Sequence, residues 1–258
     1  MARPRVYKTE AIVLKRSNLG EADTIITLYT PNLGKIRAVA KGARRLHSKL
    51  GGHLDLLTRS DLLLAQGQNL DIITQSQTIE SFLPMRNDLK LISSAIYMAE
   101  LLDQFTAEQV ENYPVYILLN NDLLWLCGAR DPYLVLRHFE LQLLNHMGYQ
   151  PELHHCLGCK SPLMPQENLF SAGNGGIFCP TCARNEPMVR AISVDAVKVI
   201  RFLLDNNQVN ANRLRMSGDL SREVEQLIRW YIRYILEREV KSVEFLDHIQ
   251  EKDRFYKS

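Results

Sequence analysis

Residues 24–40 read Thr24-Ile25-Ile26-Thr27-Leu28-Tyr29-Thr30-Pro31-Asn32-Leu33-Gly34-Lys35-Ile36-Arg37-Ala38-Val39-Ala40. The first seven are rich in β-branched side chains, which suit an extended, pleated backbone. Pro31-Asn32-Leu33-Gly34 is turn chemistry. Beyond it Lys35 and Arg37 alternate with Ile36 and Ala38, so charges share one face and apolar groups the other. Two such runs about a tight turn predict a β-hairpin. Working outward, Ala11–Leu14 is apolar upstream. Downstream, Leu54–Leu57, Asp61–Ala65 and Leu70–Thr78 are further short runs, the last two separated by the turn Gln66-Gly67-Gln68-Asn69. Some five strands within the first 80 residues predict a small closed barrel, with the OB-fold as the nucleic-acid-binding example.

The same hairpin opens a one-signed region. Between Asp23 and Asp55 there is no acidic residue, yet Lys35, Arg37, Lys41, Arg44, Arg45 and Lys49 all lie there. The whole chain of 258 residues hides this, because 31 basic against 29 acidic residues leave a net charge of only +2. Residues 1–54 hold eleven Lys or Arg against Glu10, Glu21 and Asp23, a balance of +8, so the remainder carries −6. Such asymmetry points to a polyanion-binding portion joined to one with a different task. Tyr7 and Tyr29 are the only aromatic residues before residue 80. Base stacking is therefore thinly supplied, and contact with nucleic acid is expected to be backbone-directed, sequence-independent and salt-sensitive.

After Pro84 the apolar period changes to that of helices. Leu89–Phe105 and Tyr113–Leu126 follow it, and Asp131-Pro132 reads as an N-cap with proline at the first helical position, opening a helix that Gly148 closes. Further on, Ser193 is placed to cap Val194–Leu204. Ser221 is placed to cap a helix with Val224, Leu227, Ile228, Tyr231 and Ile235 inward and Arg222, Glu225, Arg229 and Arg233 outward. The expected class is α+β: an OB-fold barrel over 1–80, helices over 81–155 and 187–250, an embedded metal element over 156–186, and a tail over 251–258.

That element rests on spacing. Cys156-x2-Cys159 and Cys179-x2-Cys182 stand nineteen residues apart, within the range of zinc ribbons and knuckles. Each pair offers two thiolates to one tetrahedral ion, and Ser171-Ala172-Gly173-Asn174-Gly175-Gly176 supplies the turn between the pairs. Four sulfur ligands leave no open position, so the expected cofactor is a structural Zn2+. His154 and His155 lie beside the first pair as alternative ligands. Cys127, at the end of an apolar helix, reads as a buried thiol.

With 46% hydrophobic and 23% charged residues the chain can bury a real core, as two domains or one larger unit. No apolar run approaches the ~18 residues of a membrane helix, and Met1–Glu10 lacks the apolar centre of a signal peptide, so a cytoplasmic protein is expected. No phosphate loop, nucleophile elbow, metalloprotease helix or dinucleotide fingerprint occurs in the sequence. The expectation is a protein that is not an enzyme.

Several segments resemble one family closely. Thr9-Glu10-Ala11-Ile12-Val13-Leu14, Gly20-Glu21-Ala22-Asp23, Thr30 to Gly34, and Lys35-Ile36-Arg37-Ala38-Val39-Ala40-Lys41-Gly42-Ala43-Arg44 are similar to the N-terminal signature of the bacterial RecO family of DNA repair proteins. Leu136-Arg137-His138-Phe139-Glu140-Leu141-Gln142-Leu143-Leu144, then Gly148-Tyr149, Pro151, the four cysteines, Phe170 and Gly175-Gly176 look like its helical core with the zinc element. The resemblance implies a recombination mediator without turnover. Such a protein binds single- and double-stranded DNA, anneals complementary strands and works with RecR to load RecA onto DNA coated by single-strand-binding protein. It implies that Arg44 and its basic neighbours contact DNA. It also implies that Arg137 grips the acidic C-terminal tail of single-strand-binding protein, although His138 stands where the family often has arginine. The residues alone leave a second reading open, a zinc-ribbon interaction module of transcription or translation.

Overall fold

The structure, a computed structural model, describes residues 5–257 and resolves into two compact units, Met1–Gly128 with Lys241–Ser258, and Ala129–Val240.

In the first unit five strands follow one another: β1 (Val6–Leu19), β2 (Asp23–Thr30), β3 (Gly34–Ala40), β4 (Arg59–Ala65) and β5 (Asp71–Glu80). Their order is β1-β2-β3-β5-β4, and β4 pairs back onto β1 from Val6↔Ala65 to Ile12↔Arg59, so the sheet closes. That closure explains the length of β1. Its first half pairs with β4 and its second half with β2, and the register shifts between Val13 and Lys15 where it changes partner. Closure also removes the open edges that an isolated sheet would expose. Ala11, Val13, Ile26, Leu28, Ile36, Ala38, Leu62, Leu64 and Ile73 fill the interior. This is the expected OB-type architecture.

One expected strand is not there. Leu54–Leu57 follows a short 3-10 turn, Gly51–Leu54, and Leu57 sits at a left-handed φ of 63°. The segment meets the middle of β1 through Leu57 N to Val13 O at 2.8 Å and Val13 N to Thr58 O at 3.0 Å, and Leu56 O accepts from the Arg86 guanidinium at 3.0 Å. Leu54 and Leu57 are fully buried. An apolar run of four suited a strand and a plug equally well, and burial of both leucines favoured the plug.

Helices α1 (Leu83–Arg86), α2 (Leu89–Phe105) and α3 (Tyr113–Cys127) complete this part, with Asp88 and Asn112 accepting from the first-turn amides of α2 and α3. The chain returns at its end as α8, which spans Ser242–Lys257, so no element boundary falls at the expected start of a tail. Glu100 of α2 receives the amides of Lys241 and Ser242 at 2.9 and 2.8 Å, tying the start of α8 to α2. The barrel and the helices meet through polar struts as well: Arg59 donates to Asn120 Oδ1 at 2.8 Å, and Tyr116 donates to Glu10. Burial first, and then Glu10, push the Tyr116 hydroxyl's pKa up, so it stays a donor.

The second unit holds α4 (Pro132–His146), a three-stranded sheet of β6 (Asn168–Ser171), β7 (Gly176–Phe178) and β8 (Arg190–Ile192) in the order β7-β6-β8, then α5 (Val194–Asp205), α6 (Gln208–Ala211) and α7 (Gly218–Leu236). Asp131 and Ser193 cap α4 and α5 as expected. Helix α7, however, starts a turn earlier than Ser221. Ser217 is its cap, receiving Leu220 N on Oγ, and Ser221 N already donates to Ser217 O. Both serines satisfy cap chemistry, and the first one met ends the preceding loop. Two residues assigned to the outer face of α7 are also turned in: Glu225 and Arg229 expose only 12% and 14% of their side chains.

Candidate metal centre and nucleic-acid interface

The cysteines come together as spaced. All four Sγ atoms of Cys156, Cys159, Cys179 and Cys182 lie within 4.8 Å of one another. Metal–sulfur bonds of about 2.3 Å in a tetrahedron put sulfurs about 3.8 Å apart, so the cluster is sized for one ion. Local backbone geometry makes each pair a knuckle. Lys160 N returns to Cys156 O at 2.9 Å with Lys160 at a left-handed φ of 61°, and Ala183 N returns to Cys179 O at 3.0 Å. Leu157 N donates to Ile177 O at 2.9 Å, which joins the first knuckle to β7. Glycine is required at position 158, where a Cβ would lie 2.8 Å from the Cys182 Cβ. Leu157, Leu163, Leu169, Phe178 and Ala183 pack around the sulfurs as a small core.

The donor set suits a metal chemically. Burial alone would raise the Cys156 thiol, but amides of Cys179, Cys159 and Gly158 donating to it bring it down to about 6, whereas hydrogen bonding with the Cys179 thiol and then burial push Cys182 up to about 12, so four crowded sulfurs need a cation to be ionised together. Cys179 N lies 3.2 Å from that sulfur. The alternative ligands stand aside: His154 and His155 are exposed, and both give their backbone amides to Glu152 Oε1, at 2.7 and 3.0 Å. The candidate ligand set is therefore four cysteines. Cys127 is half-buried, and burial pushes its thiol's pKa up.

In the first unit the six basic residues of the hairpin and its following loop have different fates. Lys35 is 8% exposed, and its ammonium reaches Asp103 O at 2.5 Å and Asp103 Oδ1 at 2.9 Å. It holds α2 to the barrel. The loop before α3 presses on the same place: Gln109 N donates to Lys35 O at 2.7 Å, and Gly34 would put a Cβ 1.8 Å from Val110 O. Arg37 stays on the outer face with 43% of its side chain exposed and Glu108 at 3.8 Å. Thus Lys35 and Arg37 share a face, as alternation requires, but acids distant in sequence reach that face. The stretch has no acid of its own, but the fold brings Asp103 and Glu108 to these two residues.

Lys41, Arg44, Arg45 and Lys49 are exposed on the loop that follows β3. Arg44 is partly committed, since its guanidinium donates to the carbonyls of Glu21 and Gly20 and its amide to Ala22 O at 3.0 Å. Gly42 N donates to Asp23 Oδ1 at 2.7 Å. These bonds fasten the loop to the β1–β2 turn, so Arg44 positions the loop. Lys41, Arg45 and Lys49 have no carboxylate partner among the described residues. Sequence reasoning missed Lys15 as a member of this surface. It pairs with Thr27, which pairs in turn with Arg37, so the two cations flank Thr27 in one row across three strands. Only the pairing register carries that signal.

Arg137 lies in α4 of the second unit and is 1% exposed. Its fork meets the Glu140 carboxylate at 2.7 and 2.8 Å, and Glu225 of α7 lies 3.3 Å away. Arg229 binds the same Glu225 at 2.8 Å, giving an alternating network of two arginines and two glutamates. His138 beside it is 2% exposed. Arg137 thus does not stand on the helix surface, where a partner's carboxylate would meet it.

Comparisons with known proteins agree with this construction. The family description Recombination protein O N terminal matches residues 1–82, and Recombination protein O C terminal matches residues 86–244. The join between them falls near the expected barrel boundary, whereas the division into compact units falls after Gly128 because α1 to α3 pack with the barrel. DNA repair protein RecO of Roseiflexus sp. (strain RS-1) is 42% identical over 249 residues, covering 96% of this chain and 88% of its own. DNA repair protein RecO of Dehalococcoides mccartyi (strain CBDB1) is 41% identical over 253 residues, covering 98% and 100%. A strand-rich N-terminal part, a helical remainder with clustered cysteines, and similarity along nearly the whole length place this chain in the RecO family of DNA repair proteins.

Proposed function

We propose that the protein is a non-enzymatic mediator of DNA repair and homologous recombination that binds single- and double-stranded DNA and anneals complementary strands. In this reading it works with RecR in the cytoplasm, beside the nucleoid, to help load RecA onto DNA coated by single-strand-binding protein. Family membership supports the repair role. The single observation that carries the annealing step is the exposed trio Lys41, Arg45 and Lys49 on a fastened loop, unpaired among the described residues.

Two complementary strands repel each other through their phosphates, and that repulsion opposes their first contact. A cluster of unpaired cations replaces condensed counterions on both strands and lets them approach, with no need to read bases. Cations already bound to protein carboxylates would have to give up those partners first, which is why Lys35 is left out of this surface. Lys15 extends it along the barrel wall, and Arg37 joins it only by giving up Glu108, which lies 3.8 Å away. Zinc held by Cys156, Cys159, Cys179 and Cys182 would supply folding energy to the second unit, since four thiolates leave no position for substrate.

Arg137 enters under a condition set by its geometry. Gripping the tail of single-strand-binding protein means exchanging Glu140 or Glu225 for a carboxylate of the tail, because the guanidinium fork is already occupied.

The test is strand annealing titrated against salt, with and without single-strand-binding protein, using Lys41→Glu, Arg45→Glu and Lys49→Glu together. Annealing is expected to disappear, and the logarithmic salt slope of single-strand binding to flatten by about 0.7 for each phosphate that is no longer neutralised. A folded triple variant that anneals like the parent overturns the reading.

A further inference from the structure

The loop that carries these cations has one residue that electrostatics does not explain. Leu46 is 100% exposed, more than any other large exposed hydrophobic among the described residues. The apolar residues on either side behave differently: Ala43 is 6% exposed and Leu50 packs against the barrel core. Both ends of the loop are therefore nailed to the barrel by burial, while the middle is held away from it. The tip is an ordered turn. Ser48 N donates to Arg45 O at 3.0 Å, which puts Leu46 and His47 at the two central positions, and Arg45 N donates to Gly42 O at 3.1 Å beneath it. A leucine fixed at the apex of a turn, between Arg45 and Lys49, is surrounded by groups that attract a polyanion.

We infer that Leu46 is an apolar wedge that packs against unstacked bases of a DNA strand whose phosphates are held by Lys41, Arg45 and Lys49. The inference rests on the DNA-binding reading above and adds the class of substrate the loop prefers. Bases in an intact duplex are stacked and covered, and parting them costs energy. Bases in single strands, frayed ends and mismatches are open at no such cost. An apolar side chain that packs only on exposed base faces therefore favours single-stranded over duplex DNA without reading sequence. It also supplies the base contact that the barrel's scarcity of aromatic residues leaves unfilled. In annealing, the same contact would hold bases splayed and ready for a complementary strand.

The experiment compares Leu46→Ser and the parent full-length chain in equilibrium binding to oligothymidylate and to a blunt duplex across a range of salt. A fully exposed side chain has no packing to lose, so the variant folds as the parent does. Without the burial of one leucine, single-strand binding should weaken roughly tenfold. Duplex affinity and the salt slope should both stay unchanged, because no cation is touched. Leu46→Trp should report the contact directly, with fluorescence quenched by oligothymidylate and not by duplex. Unchanged single-strand affinity in Leu46→Ser, or equal losses on single strand and duplex, overturns the wedge. The charge-reversed triple variant keeps the two ideas apart. If it loses binding while Leu46→Ser does not, only the wedge falls; if it binds normally, the phosphate surface itself is wrong.

Discussion

Arginine and lysine meet opposite fates in two parts of this molecule. On the loop after β3, Lys41, Arg45 and Lys49 face solvent with no carboxylate beside them among the described residues. Between α4 and α7, Arg137 and Arg229 are turned inward onto Glu140 and Glu225. The first arrangement leaves charge available and costs little, because water solvates it until phosphate arrives. The second removes charge from water and is tolerable only because each guanidinium has a carboxylate. A cation's availability to a partner is thus decided by which acids the fold brings to it. Separation along the chain does not decide the partner: Glu140 is three residues from Arg137, whereas Asp103 is sixty-eight from Lys35.

The severest way to break the contrast is to remove the support of the inward-facing pair. Replacing Cys179 and Cys182 together by serine leaves two thiolates where a tetrahedral ion needs four. The Ala129–Val240 unit should lose its protected amides in hydrogen exchange, and bound zinc should fall to background by elemental analysis. Amides of β1 to β5 should stay protected, and single-strand DNA binding should persist through the loop. Protection of α4 and α7 unchanged in the double variant would show that the second unit stands without metal.

Next in size is the network itself. Arg137→Ala strands Glu140 and Glu225 in a buried site with one fewer cation, and breaking such a pair costs about 3–5 kcal/mol. Denaturant unfolding should show that loss, with DNA affinity unaffected. The same variant, wherever it stays folded, decides the exchange proposed for the tail of single-strand-binding protein. A tail peptide should bind it more weakly than the parent, and binding of equal strength removes Arg137 from that role. Double substitution of Arg137 and Glu140 by Met and Leu should recover much of the stability without recovering peptide binding.

Much of this was legible in the residues. The Thr24–Ala40 hairpin, the helix bounds at Leu89–Phe105 and the Cys-x2-Cys pairs depend on neighbours a few positions apart, and local pattern fixes them. Leu54–Leu57 was not legible, because a four-residue apolar run fits a strand or a plug and only the closure of the barrel decides between them. Lys35 and Glu225 misled for a different reason. Periodicity put Lys35 on the charged face of its strand and Glu225 on the outer face of its helix, but covering elements made those sides an interior, and periodicity has no term for what packs on top. Lys15 was missed because its alignment with Arg37 exists only in the pairing register of three strands.

The smallest expected effect sharpens the comparison most, because it sets two lysines of one short stretch against each other. Lys35→Met removes the strut to Asp103 and leaves that carboxylate without its cation, which should cost about 1–3 kcal/mol in denaturant unfolding. The methionine fills much of the lysine stem's volume, so packing against α2 survives and the loss isolates the charge. Lys49→Met removes an exposed cation with no carboxylate partner among the described residues, and stability should change by less than about 0.5 kcal/mol. For DNA the order reverses. Lys35→Met should leave the salt slope of single-strand binding as it was, whereas Lys49→Met should flatten it by about 0.7, the share of one neutralised phosphate. If both variants lost stability and neither lost slope, the loop would be part of the fold's support rather than its DNA surface. If Lys35→Met alone lost slope, the ammonium must leave Asp103 for phosphate, and burial would have misjudged which cations are free.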